Sequence, residues 1–214
     1  MNELQTKLLT DTWVFATWDE YLQAIANPDY EKAKCYYYHG HLRIEMSPVG
    51  PNHALDNGII YFAVTLYCTL RGIPLRGLIN CSYREPSLRE CQPDISYYIG
   101  EQAPSAPTGT SVVNLGSNTP PPNLAIEVAS TSLDEDLGRK RLLYEAMQIA
   151  EYWVVDVERA QIVAFAIADG GSRRITQSQC LPGLEIGLLE EALQRSRQMD
   201  DTQVGAWLLS QIQN

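Results

Sequence analysis

The sequence has little positive charge. Its 16 lysine and arginine residues are outnumbered by 26 aspartate and glutamate residues, which gives a formal net charge of −10 at pH 7. Proteins that bind nucleic acid through their general electrostatic field are usually basic, whereas this chain should repel polyanions at long range. Binding of nucleic acid would therefore need a local basic patch, a bound metal ion or a partner protein.

Long apolar runs and paired cysteines are also missing. No stretch approaches the roughly 18 apolar residues of a membrane-spanning helix, so no membrane partner is expected. The N-terminus, Met1–Gln5, lacks the basic region and apolar run of a signal peptide. The five cysteines are odd in number and form no C-x-x-C pair. This pattern indicates reduced thiols in a cytoplasmic protein and disfavours a zinc site.

The composition predicts a globular protein of mixed secondary structure. Hydrophobic residues make up 45 % and charged residues 20 % of 214 residues, which suits one domain over 1–214. A capping box at Thr17 and Glu20 predicts a helix from Trp18 to about Ala26. The alternation over 35–46 predicts a hairpin that turns at His39-Gly40.

Further elements follow from periodicity and turn signals. A turn at 48–51 precedes a long helix that Asn52 can cap and Gly72 ends. A second capping box, Ser132 to Glu135, begins a helix that reaches about Ile149. The predicted strands cover 74–84, 94–99, 123–130, 151–157 and 161–168, and the chain from 188 to 213 is mostly helical and amphipathic. This order of helices and strands indicates an α/β architecture.

The segment 100–122 is rich in proline, serine, threonine and glycine, with three consecutive prolines at its end. This composition predicts a long loop with little regular structure. Loops of this length often act as a lid over a site, and an arm that forms a homodimer is the other interpretation.

Glu127 is the sharpest anomaly in the sequence. It lies within Leu124–Ala129, which otherwise has the pattern of a buried strand, and its face of that strand is shared with two alanines. A buried carboxylate is costly unless a metal ion or a cation compensates it. An edge strand that exposes Glu127 to water is the simpler alternative.

Asp94 and Lys140 become candidate site residues because Glu127 is a candidate. Asp94 follows Pro93 at the start of a predicted strand, where Pro-Asp alone would be ordinary turn chemistry. Lys140 is the only lysine after residue 34 in a chain that otherwise uses arginine there. Arginine and lysine are not interchangeable as tunable amines, although a solvated helix face would also accommodate Lys140.

The ordered set of these residues resembles the PD-(D/E)XK nuclease superfamily, and within it the Uma-type family of restriction endonucleases, formerly a domain of unknown function. The resemblance covers about residues 15–190. The stretches that carry it are Glu45-Met46-Ser47-Pro48 with His53, Pro93-Asp94, Pro122–Ser130, Asp136 with Lys140 and Tyr144, and Glu151–Asp156.

The resemblance implies a restriction-endonuclease-like α/β fold, with a central mixed sheet flanked by helices and a C-terminal helical extension. It implies that Asp94, Glu127 and the Ala129 carbonyl bind Mg²⁺ or Mn²⁺. Lys140, held by Asp136, would orient the attacking water or stabilise developing charge. Tyr144 and His53 would contact the substrate, which is DNA.

Three positions depart from the family pattern. Ala129 stands where the superfamily has its lysine, which Lys140 would replace from the following helix. Tyr36 stands where many relatives have glutamate, and Asn123 where relatives often have aspartate. The leading interpretation is a metal-dependent DNA endonuclease. The alternative, favoured by the acidic charge, is a catalytically idle relative that acts as a binding or regulatory module.

Overall fold

The computed structural model describes residues 9–46, 50–109, 112–116 and 118–213. The N-terminal residues that lack a signal-peptide pattern lie outside these ranges, as do residues 48 and 49 of the predicted turn. No helix in the described ranges is both long enough and apolar enough to cross a lipid bilayer.

The strands of the described chain form two six-stranded sheets. Sheet 1 has the order β1-β3-β2-β6-β5-β8, and sheet 2 has the order β12-β11-β10-β9-β7-β4. The strands are β1 Val14–Phe15, β2 Lys34–Tyr38, β3 His41–Glu45, β4 Leu75–Ile79, β5 Ser82–Glu85, β6 Arg89–Cys91, β7 Ile95–Ile99, β8 Val112–Asn114, β9 Leu124–Ala129, β10 Glu151–Asp156, β11 Gln161–Ala168 and β12 Gly171–Ile175.

Sheet 2 is mixed, as the sequence predicts. Its centre is the parallel pair β9 and β10, and β7 joins the other edge of β9 in the antiparallel sense. The strand that follows Asp94 and the strand that contains Glu127 are therefore neighbours. All six residues of β9 and of β10 are buried, which fits strands covered on both faces.

The helices cover both faces of sheet 2. The α-helices are α1 Trp18–Ile25, α2 Pro51–Arg71, α3 Leu133–Glu135, α4 Arg141–Ala146, α5 Ile186–Ser196 and α6 Asp201–Gln213. One face packs Ile126 and Trp153 into a core with α2, α5 and α6. The other face packs Ala125 and Val154 against α4 and against Tyr36 and Tyr83 of sheet 1. The two predicted flanking helices thus lie on opposite faces.

Local chemistry explains the first elements. Thr17 and Glu20 form the predicted capping box in front of α1. His39 and Gly40 have φ of 48° and 70°, the left-handed geometry that a two-residue turn between β2 and β3 requires. Both sequence predictions are confirmed.

Two boundaries differ from the prediction. The strand predicted over 74–84 divides into β4 and β5, which belong to different sheets. Asn80 turns the chain between them with a φ of 52°, a conformation that asparagine tolerates. The long helix begins at Pro51 with Gly50 as its N-cap, so Asn52 is not the cap. Proline suits this first position because it has no backbone N–H, and an N–H there would have no acceptor within the helix.

The helix predicted over 132–149 is broken. A π-helical turn, Asp136–Lys140, separates α3 from α4, and Gly138 within it has non-helical torsions. The second capping box is also wrong, since Ser132 makes no capping bond and donates its hydroxyl to Asp136 at 2.5 Å. Glu135 instead accepts a hydrogen bond from the Trp13 indole at 2.8 Å.

The segment 100–122 has more regular structure than its composition predicts. It contains a 3₁₀ helix, Gly100–Ser105, and the short strand β8, which pairs with β5 in the parallel sense. Two β-branched valines at the start of β8 favour an extended conformation. Its action as a lid or as the arm of a homodimer remains a prediction.

Candidate active site

Asp94 and Glu127 face each other across two paired strands. The register pairs Ile95 with Ile126, so its continuation places Asp94 opposite Glu127. Side chains at directly opposite positions share one face of a sheet and lie close together. The two carboxylates therefore share one face of sheet 2.

Glu127 is buried, and two tyrosine hydroxyls donate hydrogen bonds to it. Its side chain is 2 % exposed, and Oε1 accepts hydrogen bonds from the Tyr144 hydroxyl at 2.7 Å and the Tyr36 hydroxyl at 3.1 Å. Burial raises the pKa of Glu127 to about 8, although Lys140 and Lys34 act in the opposite direction. The edge-strand alternative, with Glu127 in bulk water, is wrong.

Asp94 is equally enclosed but is held in its charged form. Oδ2 accepts the Val128 backbone N–H at 2.9 Å, while Oδ1 lies 2.6 Å from the Lys34 amine and 3.4 Å from His53 Nε2. Burial alone would raise the pKa of Asp94. The hydrogen bond from His53 and the charge of Lys34 outweigh burial and lower that pKa well below its usual range.

Lys140 lies next to Glu127 Oε1, the oxygen that also accepts the tyrosine hydroxyls; we call this the buried side of Glu127. The Lys140 side chain is 1 % exposed, and its amine lies 2.8 Å from Glu45 Oε1, 2.9 Å from Asp136 Oδ1 and 3.8 Å from Glu127 Oε1. The contact with Asp136 confirms the predicted pair, although it has the distance of an ion pair without hydrogen-bond geometry. Burial would lower the pKa of Lys140, but the three carboxylates raise it.

Two residues of the site were not singled out from the sequence. Lys34 begins β2 and lies opposite Glu45 at the end of β3, so the hairpin delivers a cation and an anion to the same place. The scarcity of lysine marks Lys34 as well as Lys140, since the chain has only four lysines. Glu45 belonged to the quoted family stretch but received no role there.

The other predicted residues occupy distinct places. His53, near the start of α2, lines the cavity beside Asp94, as a site-lining role requires. Tyr144 is fully buried behind Glu127, and its hydroxyl is committed to that carboxylate. This position suits support of Glu127 rather than the predicted contact with substrate.

The Ala129 carbonyl does not face the carboxylates, contrary to the prediction. It accepts the N–H of Val157, at 3.1 Å, on the β10 side of β9. The N–H of Val128 points to Asp94, and a strand residue directs its N–H and C=O to the same side. Because Pro93 is the register partner of Val128 and has no N–H, the Val128 carbonyl is the better candidate oxygen ligand.

The carboxylates open onto a cavity of about 450 Å³. Its basic lining residues are Lys34, Arg43 and Lys140. Two arginines of sheet 1 do not add to this charge, because Arg84 pairs with Glu90 and Arg89 pairs with Glu85. The cavity therefore offers a small number of fixed charges rather than a broad basic surface.

The donor set fits a hydrated Mg²⁺ or Mn²⁺ ion. Within the described ranges, no three histidine, cysteine, aspartate or glutamate side chains converge as a complete metal cage. Mg²⁺ does not need one, because it commonly keeps several waters and uses one or two carboxylates. Asp94, Glu127 and the Val128 carbonyl would hold the ion, and the Lys34 amine shows that a cation is accommodated between the two carboxylates.

Comparison with known proteins agrees with this architecture. A solved structure described as “a putative nuclease belonging to DUF820 from Anabaena variabilis ATCC 29413” superposes with a TM-score of 0.59 at 16 % identity. The match covers 83 % of this chain and 98 % of that chain, and it shows a shared fold. No curated protein matches. The model of the family described as “Uma2: Putative restriction endonuclease” matches residues 18–201, so the chain belongs to the Uma2 family.

Proposed function

We propose that this protein is a metal-dependent endonuclease of the PD-(D/E)XK type that hydrolyses phosphodiester bonds in DNA. One observation carries the proposal: two carboxylates on adjacent strands each commit one oxygen to a buried hydrogen bond and direct the other toward a cation. Membership of the Uma2 family supports the same activity.

The chain's own residues would prepare the site. A bound Mg²⁺ or Mn²⁺ would polarise the scissile phosphodiester and lower the pKa of a bound water. Tyr144 and Tyr36 fix Glu127, and the Val128 N–H fixes Asp94. Lys140 holds Glu45 and Asp136 in place and adds positive charge behind Glu127. His53 lines the cavity and would contact the substrate there.

A plasmid-nicking assay tests the proposal directly. Wild-type protein with Mg²⁺ or Mn²⁺ should convert supercoiled plasmid to the nicked form, and a chelator should stop the reaction. Glu127→Ala should lower the rate by about 10²-fold or more, since the site loses one of two charged ligands. Glu101→Gln, at an exposed position, should retain the wild-type rate. Equal rates for wild type and Glu127→Ala would reject the proposal.

A catalytically idle binding or regulatory protein is the second candidate. The Lys34 ammonium lies where a divalent ion would bind, and the chain carries a net charge of −10. Both features fit a nuclease fold that has lost metal-dependent cleavage. Failure of the wild type to nick DNA at any Mg²⁺ or Mn²⁺ concentration would favour this candidate.

A further inference from the structure

Each carboxylate of the site has a committed oxygen and an available one. Glu127 Oε1 accepts two tyrosine hydroxyls, and Asp94 Oδ2 accepts the Val128 N–H. The oxygens that face cations are Glu127 Oε2 and Asp94 Oδ1, and Asp94 Oδ1 also lies 3.4 Å from His53 Nε2.

The Lys34 amine lies close to both of these oxygens. It lies 2.6 Å from Asp94 Oδ1 and 3.9 Å from Glu127 Oε2. A single ammonium therefore occupies the position at which a divalent ion would meet the same two oxygens. Both cations cannot hold that position together, because their charges repel at such short distances.

Lys34 and Lys140 differ in their freedom to move. Lys140 is enclosed by Glu45, Asp136 and the Tyr36 ring. The Lys34 side chain is 17 % exposed, and it lines both the cavity described above and a second one of about 590 Å³. Its four-carbon stem is flexible, so the amine can leave the carboxylates without a change in the strands.

We propose that Lys34 is the resident cation of this site, and that a divalent ion binds between Asp94 and Glu127 only by displacing the Lys34 ammonium toward the second cavity. The proposal rests on the proposed function, because it assumes that these carboxylates bind a metal ion. Lys34 would then control whether a metal ion can bind, whereas Lys140 pairs with Glu45 and Asp136 and holds them in place.

Metal affinity measured without turnover tests the proposal. Mn²⁺ binding is followed by isothermal titration calorimetry on the full chain, for wild type, Lys34→Met and the matched control Lys32→Met. Lys32 is exposed and lies two residues before Lys34. Lys34→Met should bind Mn²⁺ at least ~10-fold more tightly than wild type, because a nearby positive charge has been removed. Lys32→Met should bind like wild type.

The outcomes separate this proposal from the endonuclease. Equal Mn²⁺ affinity in wild type and Lys34→Met would overturn the role of Lys34 and leave the metal site intact. Absence of binding in both would overturn the role of Lys34 and the metal dependence together. Tighter binding by Lys34→Met, in a chain whose wild type cleaves no DNA, would support the role of Lys34 and reject the endonuclease.

A measurement on the native side chain covers the case in which Lys34→Met fails to fold. The chain has only four lysines, so reductive methylation with ¹³C gives few NMR signals, and methylation retains the lysine charge. Lys34→Arg and Lys32→Arg assign two of them. Mg²⁺ should shift the Lys34 signal more than the signal of Lys32, which lines only the second cavity. Saturation with Mg²⁺ without a shift at Lys34 would overturn the proposal.

Discussion

The two sides of Glu127 differ in how their charges are held. On the buried side, Lys140 is 1 % exposed and is enclosed by carboxylates and an aromatic ring. Both lysines line the cavity, but Lys34 is 17 % exposed and also lines the second cavity, which Lys140 does not. Both lysines approach the same carboxylate, yet only one can exchange its partner for a ligand. Two lysines near one carboxylate can therefore differ in role, because the enclosed Lys140 holds its neighbours in place while the more exposed Lys34 can move away.

The largest expected effect separates the two lysines by stability. Lys140→Met should lower the free energy of unfolding by about 3–5 kcal/mol, because it leaves buried carboxylates without their cation. Lys34→Met should cost about 1 kcal/mol or less, because water from the cavity can replace the ammonium. Urea denaturation at neutral pH measures both. Similar losses in the two variants would show that the two lysines are equally enclosed and would contradict the difference in their mobility.

Much of the fold follows from the sequence because its signals are local. The hairpin at His39 and Gly40, the capping box at Thr17 and the buried strand around Glu127 each come from turn chemistry or side-chain alternation. The division into two sheets does not, because it depends on a single positive φ at Asn80 and on long-range pairing. The break near Gly138 had one signal, a glycine inside a predicted helix.

The site was predictable for its acids and less so for its lysines. Glu127 is conspicuous because a carboxylate interrupts an apolar strand, and Asp94 was predicted only together with it, since Pro-Asp before a strand is ordinary turn chemistry. Lys140 was conspicuous because lysine is rare after residue 34, but rarity does not report burial. Lys34 reaches the site only through the pairing of β2 with β3 and the packing of sheet 1 on sheet 2, which no short-range pattern encodes.

The second prediction uses pH to test the enclosure of Glu127. Its folded pKa of about 8 lies above the ordinary value of 4.5, so the folded state retains a proton that the unfolded state releases. This contribution to stability is complete below about pH 4.5 and is lost as pH rises toward 8, by about 1.4 kcal/mol per pH unit at most. The difference in unfolding free energy between wild type and Glu127→Gln should fall across this range.

The control for the pH series is a saturating concentration of Mn²⁺. A divalent ion stabilises the ionised carboxylate, so the pH dependence attributed to Glu127 should flatten when the ion is bound. Asp94 does not contribute to this pH dependence, because its pKa is lowered and it titrates below pH 4.5. A pH-independent difference without metal would mean that Glu127 is better hydrated than its burial indicates.

The smallest effect concerns Tyr144, on the buried side. Tyr144→Phe removes the 2.7 Å hydrogen bond to Glu127 and should lower the free energy of unfolding by about 1–2 kcal/mol. Tyr61→Phe, at a half-buried tyrosine that lines the second cavity, should cost less than about 0.5 kcal/mol. Affinity for a fluorescent DNA duplex in Ca²⁺ should be unchanged in Tyr144→Phe, because the hydroxyl is fully buried behind the carboxylate. Weaker DNA binding with unchanged stability would instead show that Tyr144 contacts the substrate, and that its hydroxyl is more accessible than its burial indicates.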